Sequence, residues 1–129
     1  MAAVCAQGFL SGKTALPLSE LAEQPLLLRE SGSGTRSSVE AVFQAAGLKA
    51  VPVVEGISAS ALLSCAATGA GITILPRSQV ERPLRDGAVR ELTITDAVFQ
   101  RTYFLLCHKN KYLTEGMKKA IEIVREVIS

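Results

Sequence analysis

Between Leu26 and Gly47 the chain carries the residues best suited to holding a ligand. A hydroxyl- and glycine-rich loop, Ser31-Gly32-Ser33-Gly34-Thr35, joins the apolar run Leu26–Leu28 to a stretch with helical spacing. N–H groups in the first turn of a helix have no intrahelical partner, and the helix dipole adds partial positive charge there. A strand, such a loop and a helix N-terminus together make a corner receptive to a small anionic ligand. The competing reading of the same residues is that Ser33 or Thr35 merely caps the helix.

Other chemistry-bearing residues lead to exclusions. Gly8-Phe9-Leu10-Ser11-Gly12-Lys13-Thr14 looks like a phosphate-binding P-loop, but three residues separate the glycines instead of four. Pro17 then falls where the following helix should be continuing, so nucleotide hydrolysis is not expected. The single histidine, His108, follows Cys107 at the end of an apolar run. Adjacent residues on a strand point to opposite faces, so the two do not form a nucleophile–base pair. No HxxxH or Cys/His cluster has the spacing of metal ligands, and neither a metal nor a cofactor is expected. Glu30 and Glu55 could meet at neighbouring strand ends, or Glu30 could pair with Arg36 across the loop. No catalytic residue is assigned, and the chain does not read as an enzyme.

Composition narrows the class further. A length of 129 residues suits one domain with a real core, and 48% hydrophobic with 20% charged residues is the balance of a globular protein. A net charge of +2 is too small to argue for nucleic-acid binding by this chain, and 5% aromatics without Trp provide no stacking platform. Cys5, Cys65 and Cys107 are scattered and form no CxxC, which points to a reducing compartment with thiols packed as small hydrophobes. The apolar residues Met1–Leu10 lack a charged leading segment and are too few to span a membrane. A cytoplasmic location with no membrane partner is the expectation.

The elements that must position the loop follow from periodicity. Residues 2–6 read as a short buried strand and 7–14 as a loop. Leu18–Glu23 suggests a short helix, closed by Pro25, before the strand Leu26–Leu28. The stripe Val39, Val42, Phe43 and Ala46 marks a helix ended by Gly47. Residues 52–55 form a second strand, and Ser58 caps a helix through Thr68 with Ala61, Leu62, Cys65 and Ala66 on its apolar side. Gly71–Leu75 is a further strand; Arg77–Asp86 is a surface helix or turn plus loop; Val89–Ile94 alternates as a strand. Residues 100–108 form the most strand-like run of the second half. Thr114 caps a last helix with the stripe Met117, Ala120, Ile121, Val124, Val127 and Ile128.

Strands alternating with helices place the chain in the α/β class, with a mostly parallel sheet flanked by helices. Ligands of such sheets sit beyond the carboxyl ends of the strands. Ser31–Thr35, Gly56–Ser58 and Pro76–Ser78 then converge on one edge, which favours the ligand reading of the loop over simple capping.

The run from Leu21 to Arg36, LAEQPLLLRESGSGTR, is followed by a helix with Val42-Phe43 and Gly47, then by Ala67–Pro76 (ATGAGITILP) and Cys107–Thr114 (CHKNKYLT). In this order and spacing the phrases resemble the effector-binding domain of LysR-type transcriptional regulators. The resemblance implies a fold like the type 2 periplasmic binding proteins, two α/β subdomains around a ligand cleft. It further implies that this chain is a fragment. Residues 1–108, hinge strands included, would be the second subdomain, and 109–129 the C-terminal helix of the first. The family's effector contacts would fall on Ser31, Ser33 and Thr35 and on Gly56, Ile57 and Ser58. The implied function is sensing of a small effector by a homodimer, with DNA bound only through a winged helix-turn-helix domain absent from this chain. A transporter's solute-binding protein, or an enzyme on the same fold, is the alternative. With its partner subdomain absent, the last helix is expected to leave its stripe partly exposed.

Overall fold

A computed structural model describes residues 1–128, the side chain of Ile128 excepted. Ser129, the last residue of the expected C-terminal segment 109–129, and the side chain at Ile128, the outermost position of the helix's stripe, therefore lie outside the description. Among those described, six strands form one sheet: β1 (Ala2–Cys5), β2 (Ala15–Leu16), β3 (Leu26–Arg29), β4 (Pro52–Gly56), β5 (Ile72–Leu75) and β6 (Arg90–Ile94), in the order β2-β6-β1-β5-β3-β4. β3 runs parallel to both β4 and β5, and β2 runs parallel to β6. Only β1 runs against its neighbours, pairing with β5 and β6. The sheet is thus mostly parallel, and the α/β reading holds.

The helices are α1 (Leu18–Ala22), α2 (Gly34–Ala45), α3 (Ala59–Ala67), α4 (Arg77–Arg85) and α5 (Glu115–Ile128). The chain moves outward from β3 through α2 to the edge strand β4, then back through α3 across β3 to β5. Crossovers of one hand travelling in opposite directions must place their helices on opposite faces. Accordingly Val39 and Phe43 of α2 and Leu18 and Leu21 of α1 pack with Leu26, Leu28, Ile72 and Ile74 on one face. On the other, Leu62 and Ala66 of α3 cover Leu27, and Val80 of α4 covers Ala2, Val4 and Leu75. The core residues Leu26, Leu27, Phe43 and Ile72 are fully buried.

Thr73 lies in β5 between Val4 and Leu27, where those two apolar clusters meet. It is fully buried, and its hydroxyl has no hydrogen-bond partner. An unsatisfied buried hydroxyl carries its desolvation penalty without compensation. Thr73→Val, which keeps the shape, is expected to stabilise the chain by about 1 kcal/mol. The check is a higher urea midpoint at unchanged m-value.

Several sequence expectations need correction. Residues 100–108 form no strand; they run irregularly, with Tyr103, Phe104, Leu105 and Leu106 exposed. A strand requires a neighbour to take its N–H and C=O groups, and among the described residues no strand pairs with this segment. The cysteines are not uniformly packed. Cys5 is buried, with burial pushing its thiol pKa up against the opposing Arg90 charge, whereas Cys65 is intermediate and Cys107 exposed. β2 was not anticipated. It is two residues long and exists because β6 supplies its partner.

The P-loop lookalike folds as a tight turn at Phe9–Gly12 with Leu10 and Ser11 both left-handed, at φ 53° and 51°. Its lysine, Lys13, is tied to Glu20 at 2.6 Å rather than free for a phosphate. Arg90 holds the turn by donating to the carbonyls of Gln7 and Phe9.

α5 stands as expected, with the Met117 N–H donating to Thr114 Oγ1 at 3.3 Å. Its stripe is uncovered: Met117 and Ile121 are only partly buried, and Val124 and Val127 are exposed. Among the described residues no helix is long and apolar enough to cross a membrane.

Candidate functional site

The glycine loop begins at the carboxyl end of β3. Glu30 to Ser33 is a turn closed by the Ser33 N–H donating to the Glu30 carbonyl at 3.1 Å. Gly32 sits at φ 90°, the third position of the turn, where a type II turn needs a left-handed residue. Ser33 then caps α2 in an extended conformation, its Oγ accepting from the Thr35 N–H at 3.2 Å. Of the two capping candidates, Ser33 is the cap.

The second loop leaves β4, the strand beside β3. Leu28 pairs with Glu55 and Arg29 with Gly56, so both loops emerge at the same edge. Gly56 packs against Leu62, as a Cβ there would lie 3.4 Å from the leucine's Cδ2. Ile57 is 80% exposed. Ser58 caps α3, its Oγ accepting from the Ala61 N–H at 3.3 Å and lying 2.9 Å from Ser60 Oγ. The third loop, after β5, is short: Pro76 opens α4 directly, and Arg77 is bound to Glu91.

A buried arginine connects the first two loops. Arg36, only 7% exposed, donates from Nε to Glu40 at 2.7 Å. From Nη1 it donates to the Arg29 carbonyl at 3.0 Å and to Glu55 Oε2 at 3.2 Å. The other oxygen of Glu55 accepts from the Ser31 N–H at 3.3 Å. The end of β3, the first turn of α2, the end of β4 and the turn at Ser31 are therefore held by one guanidinium and one carboxylate. A delocalised, planar guanidinium suits such a junction because its donors are fixed in direction. The expected Glu30–Arg36 pair does not form. Glu30 instead makes a two-pronged pair with Arg29 at 2.8 and 2.9 Å, which holds its carboxyl pKa below the usual carboxylate value.

Of the six residues named from sequence, all lie at this edge, but they differ in availability. Ser31, Ile57 and Ser58 are exposed, and Ser33 and Gly56 are intermediate. Thr35 is 2% exposed, and its hydroxyl accepts from Arg101 Nη1 at 3.0 Å. Sequence reasoning missed Arg36 and Arg101. The sequence pattern offers Arg36 only Glu30 as a partner, and Arg101 lies in a run with the composition of a strand. His108 takes no part in this edge: its Nδ1 accepts from the Asn110 N–H at 3.2 Å, a local turn contact. Among the described residues no three His, Cys, Asp or Glu side chains are grouped as metal ligands.

The arrangement offers hydroxyls, loop amides and braced charges, with no nucleophile set beside a base. It can bind and position a small molecule. The family model described as the LysR substrate binding domain matches residues 1–129, the whole chain. The chain belongs to the LysR substrate-binding domain family. Among curated relatives, it is 31% identical over 99 residues to the HTH-type transcriptional activator CmpR of Synechocystis, covering 77% of this chain and 33% of that protein. It is 27% identical over 116 residues to the HTH-type transcriptional regulator SoxR of Arthrobacter, covering 90% of this chain and 40% of that one. This LysR-family chain thus spans well under half the length of these relatives.

Solved structures agree on the fold. The Synechocystis CcmR regulatory domain in complex with 2-PG superposes with a TM-score of 0.82 at 22% identity, covering 98% of this chain and 61% of that one. The effector-binding domain of QuiR in complex with shikimate gives 0.79 at 18% identity, covering 98% and 59%.

Proposed function

We propose that this LysR-family chain is the ligand-sensing part of a bacterial transcriptional regulator. In this reading a small effector lodges against Ser31, Ser33 and Thr35 and against Gly56, Ile57 and Ser58, and the parent protein responds by changing how it holds DNA. The observation that carries it is the Arg36–Glu55 brace, which fixes two hydroxyl-bearing loops side by side at the carboxyl edge of the sheet. The relatives named as transcriptional regulators and the neighbours solved with small ligands support it.

Residues 1–108 form one side of the cleft, and the helix within 109–129 belongs with the other subdomain, which its uncovered stripe fits. DNA is contacted through a winged helix-turn-helix domain of the parent. The domain performs no catalysis and works in the cytoplasm. Homodimerisation uses the outer side of α2 beside the open edge of β4. Val39 and Phe43, fully buried in the core, take no part in it.

A ligand that binds the native state alone raises stability by RT ln(1 + [L]/Kd), about 2.7 kcal/mol at a hundred times Kd. Thermal melts of the full-length regulator with small metabolites should therefore find compounds that raise Tm by several degrees. Ser31→Tyr, which fills the loop mouth from an exposed position, should abolish that shift without lowering the ligand-free Tm. Retained binding in Ser31→Tyr would place the site elsewhere.

A further inference from the structure

Arg101 is partly buried beside the glycine loop. Its Nη1 donates to Thr35 Oγ1 at 3.0 Å, and its guanidinium carbon lies 4.7 Å above the centre of the Tyr103 ring. The backbone of Gly34 leaves room for it: a Cβ on Gly34 would stand 3.3 Å from Nη2. A hydroxyl and an aromatic face therefore hold the cation in one place.

What it lacks is a counter-ion. Among the described residues no carboxylate lies within 4.0 Å of Arg101, and those around the loop are engaged, Glu30 by Arg29 and both Glu40 and Glu55 by Arg36. The cation also sits on the first turn of α2, where the helix dipole is positive and opposes it. A guanidinium fixed in place at the positive end of a helix, and met by no side-chain anion among the described residues, keeps N–H groups free for an anion from outside. A ligand carboxylate or phosphate set against its remaining N–H groups would pair with it through charge-assisted hydrogen bonds, two-pronged where two of the ligand's oxygens are engaged.

We infer that Arg101 is the specificity-determining residue of the effector site, selecting a ligand that carries a carboxylate or phosphate group over a neutral one. The inference rests on the effector-sensing reading and adds the residue that selects the effector's charged group. It also gives Thr35 a different task, that of holding Arg101 in place from beneath.

The test uses the full-length regulator and its Arg101→Gln and Arg101→Lys variants, with melts at constant ionic strength. The probes are inorganic phosphate, a series of small carboxylates and phosphate monoesters, and neutral polyols of matching size. The wild type should be stabilised by one or more anions and not by the polyols. Arg101→Gln should bind those anions about ten- to a hundredfold more weakly, read as the ligand-induced shift from each variant's own ligand-free Tm, and Arg101→Lys should recover part of the loss. The carboxylate and phosphate arms identify which group the site takes. Anions that stabilise wild type and Arg101→Gln alike, or polyols that stabilise wild type where anions do not, overturn the assignment of Arg101 and leave the sensing reading standing. A wild type unmoved by every probe overturns both.

Discussion

Gly71→Ala should destabilise the fold by about 3 kcal/mol or more, the largest single-methyl effect expected in this chain. A Cβ at Gly71 would stand 2.2 Å from the Pro25 carbonyl oxygen and 3.1 Å from the Pro25 Cβ. That carbonyl also accepts the Ile72 N–H at 2.9 Å, so the two segments cannot separate without breaking the bond that starts the β3–β5 pairing. Since a whole domain is stable by only about 5–15 kcal/mol, such a loss should show as a large drop in the denaturant midpoint or as insoluble expression. Gly69→Ala is the control. Gly69 is left-handed at φ 87° but nothing lies within 4 Å of its would-be Cβ, so only conformational strain of about 1 kcal/mol is expected. Equal effects at the two positions would refute the close-approach argument.

Phe43→Ala should cost about 3–5 kcal/mol, the range for deleting a fully buried aromatic ring. Phe43 is fully buried on α2, and its ring centre lies 6.1 Å from that of Phe99. The second ring makes the effect more than a cavity. Phe99 anchors the segment that leaves β6 and carries Arg101 to the loop two residues later. Loosening Phe99 should therefore weaken ligand response in the full-length regulator as well as stability. Phe43→Leu, which keeps most of the volume, should lose less than half as much stability. Urea denaturation of the three proteins measures the ranking directly.

Local chemistry made much of the fold readable. The Ser58 cap, the left-handed glycines at 47 and 69, and the period of Leu62 and Ala66 each act within a few residues, so sequence displays them. Whatever depends on a distant partner was hidden. Tyr103–Cys107 has the composition of a buried strand, yet pairing is a property of two segments, and composition reports on one. The reverse holds for Ala15–Leu16, too short to signal a strand but paired with β6.

The site follows the same division. The Ser33 cap and the turn at Gly32 were legible in the glycine spacing. The role of Arg36 was not, because its partners Glu40 and Glu55 lie on different elements and only the β3–β4 register brings them together. Arg101 was the least visible, since 66 residues separate it from Thr35.

The one strand that opposes the rest sets an order of events during synthesis. β1 cannot close onto the sheet until β5 and β6 exist, since Ala3 must find both Ile74 and Leu92. At about 5–20 residues per second the ribosome needs roughly 4–14 s to supply β5 after β1. The unit β3-α2-β4 lies wholly within that interval and can assemble early, because its contacts are nearer in sequence. Through that delay Ala2–Cys5 lack both of their neighbours in the described sheet, and they finish by wedging into its middle rather than onto its rim. Among the six described strands of this sheet, the first in sequence is thus one of the last to be secured.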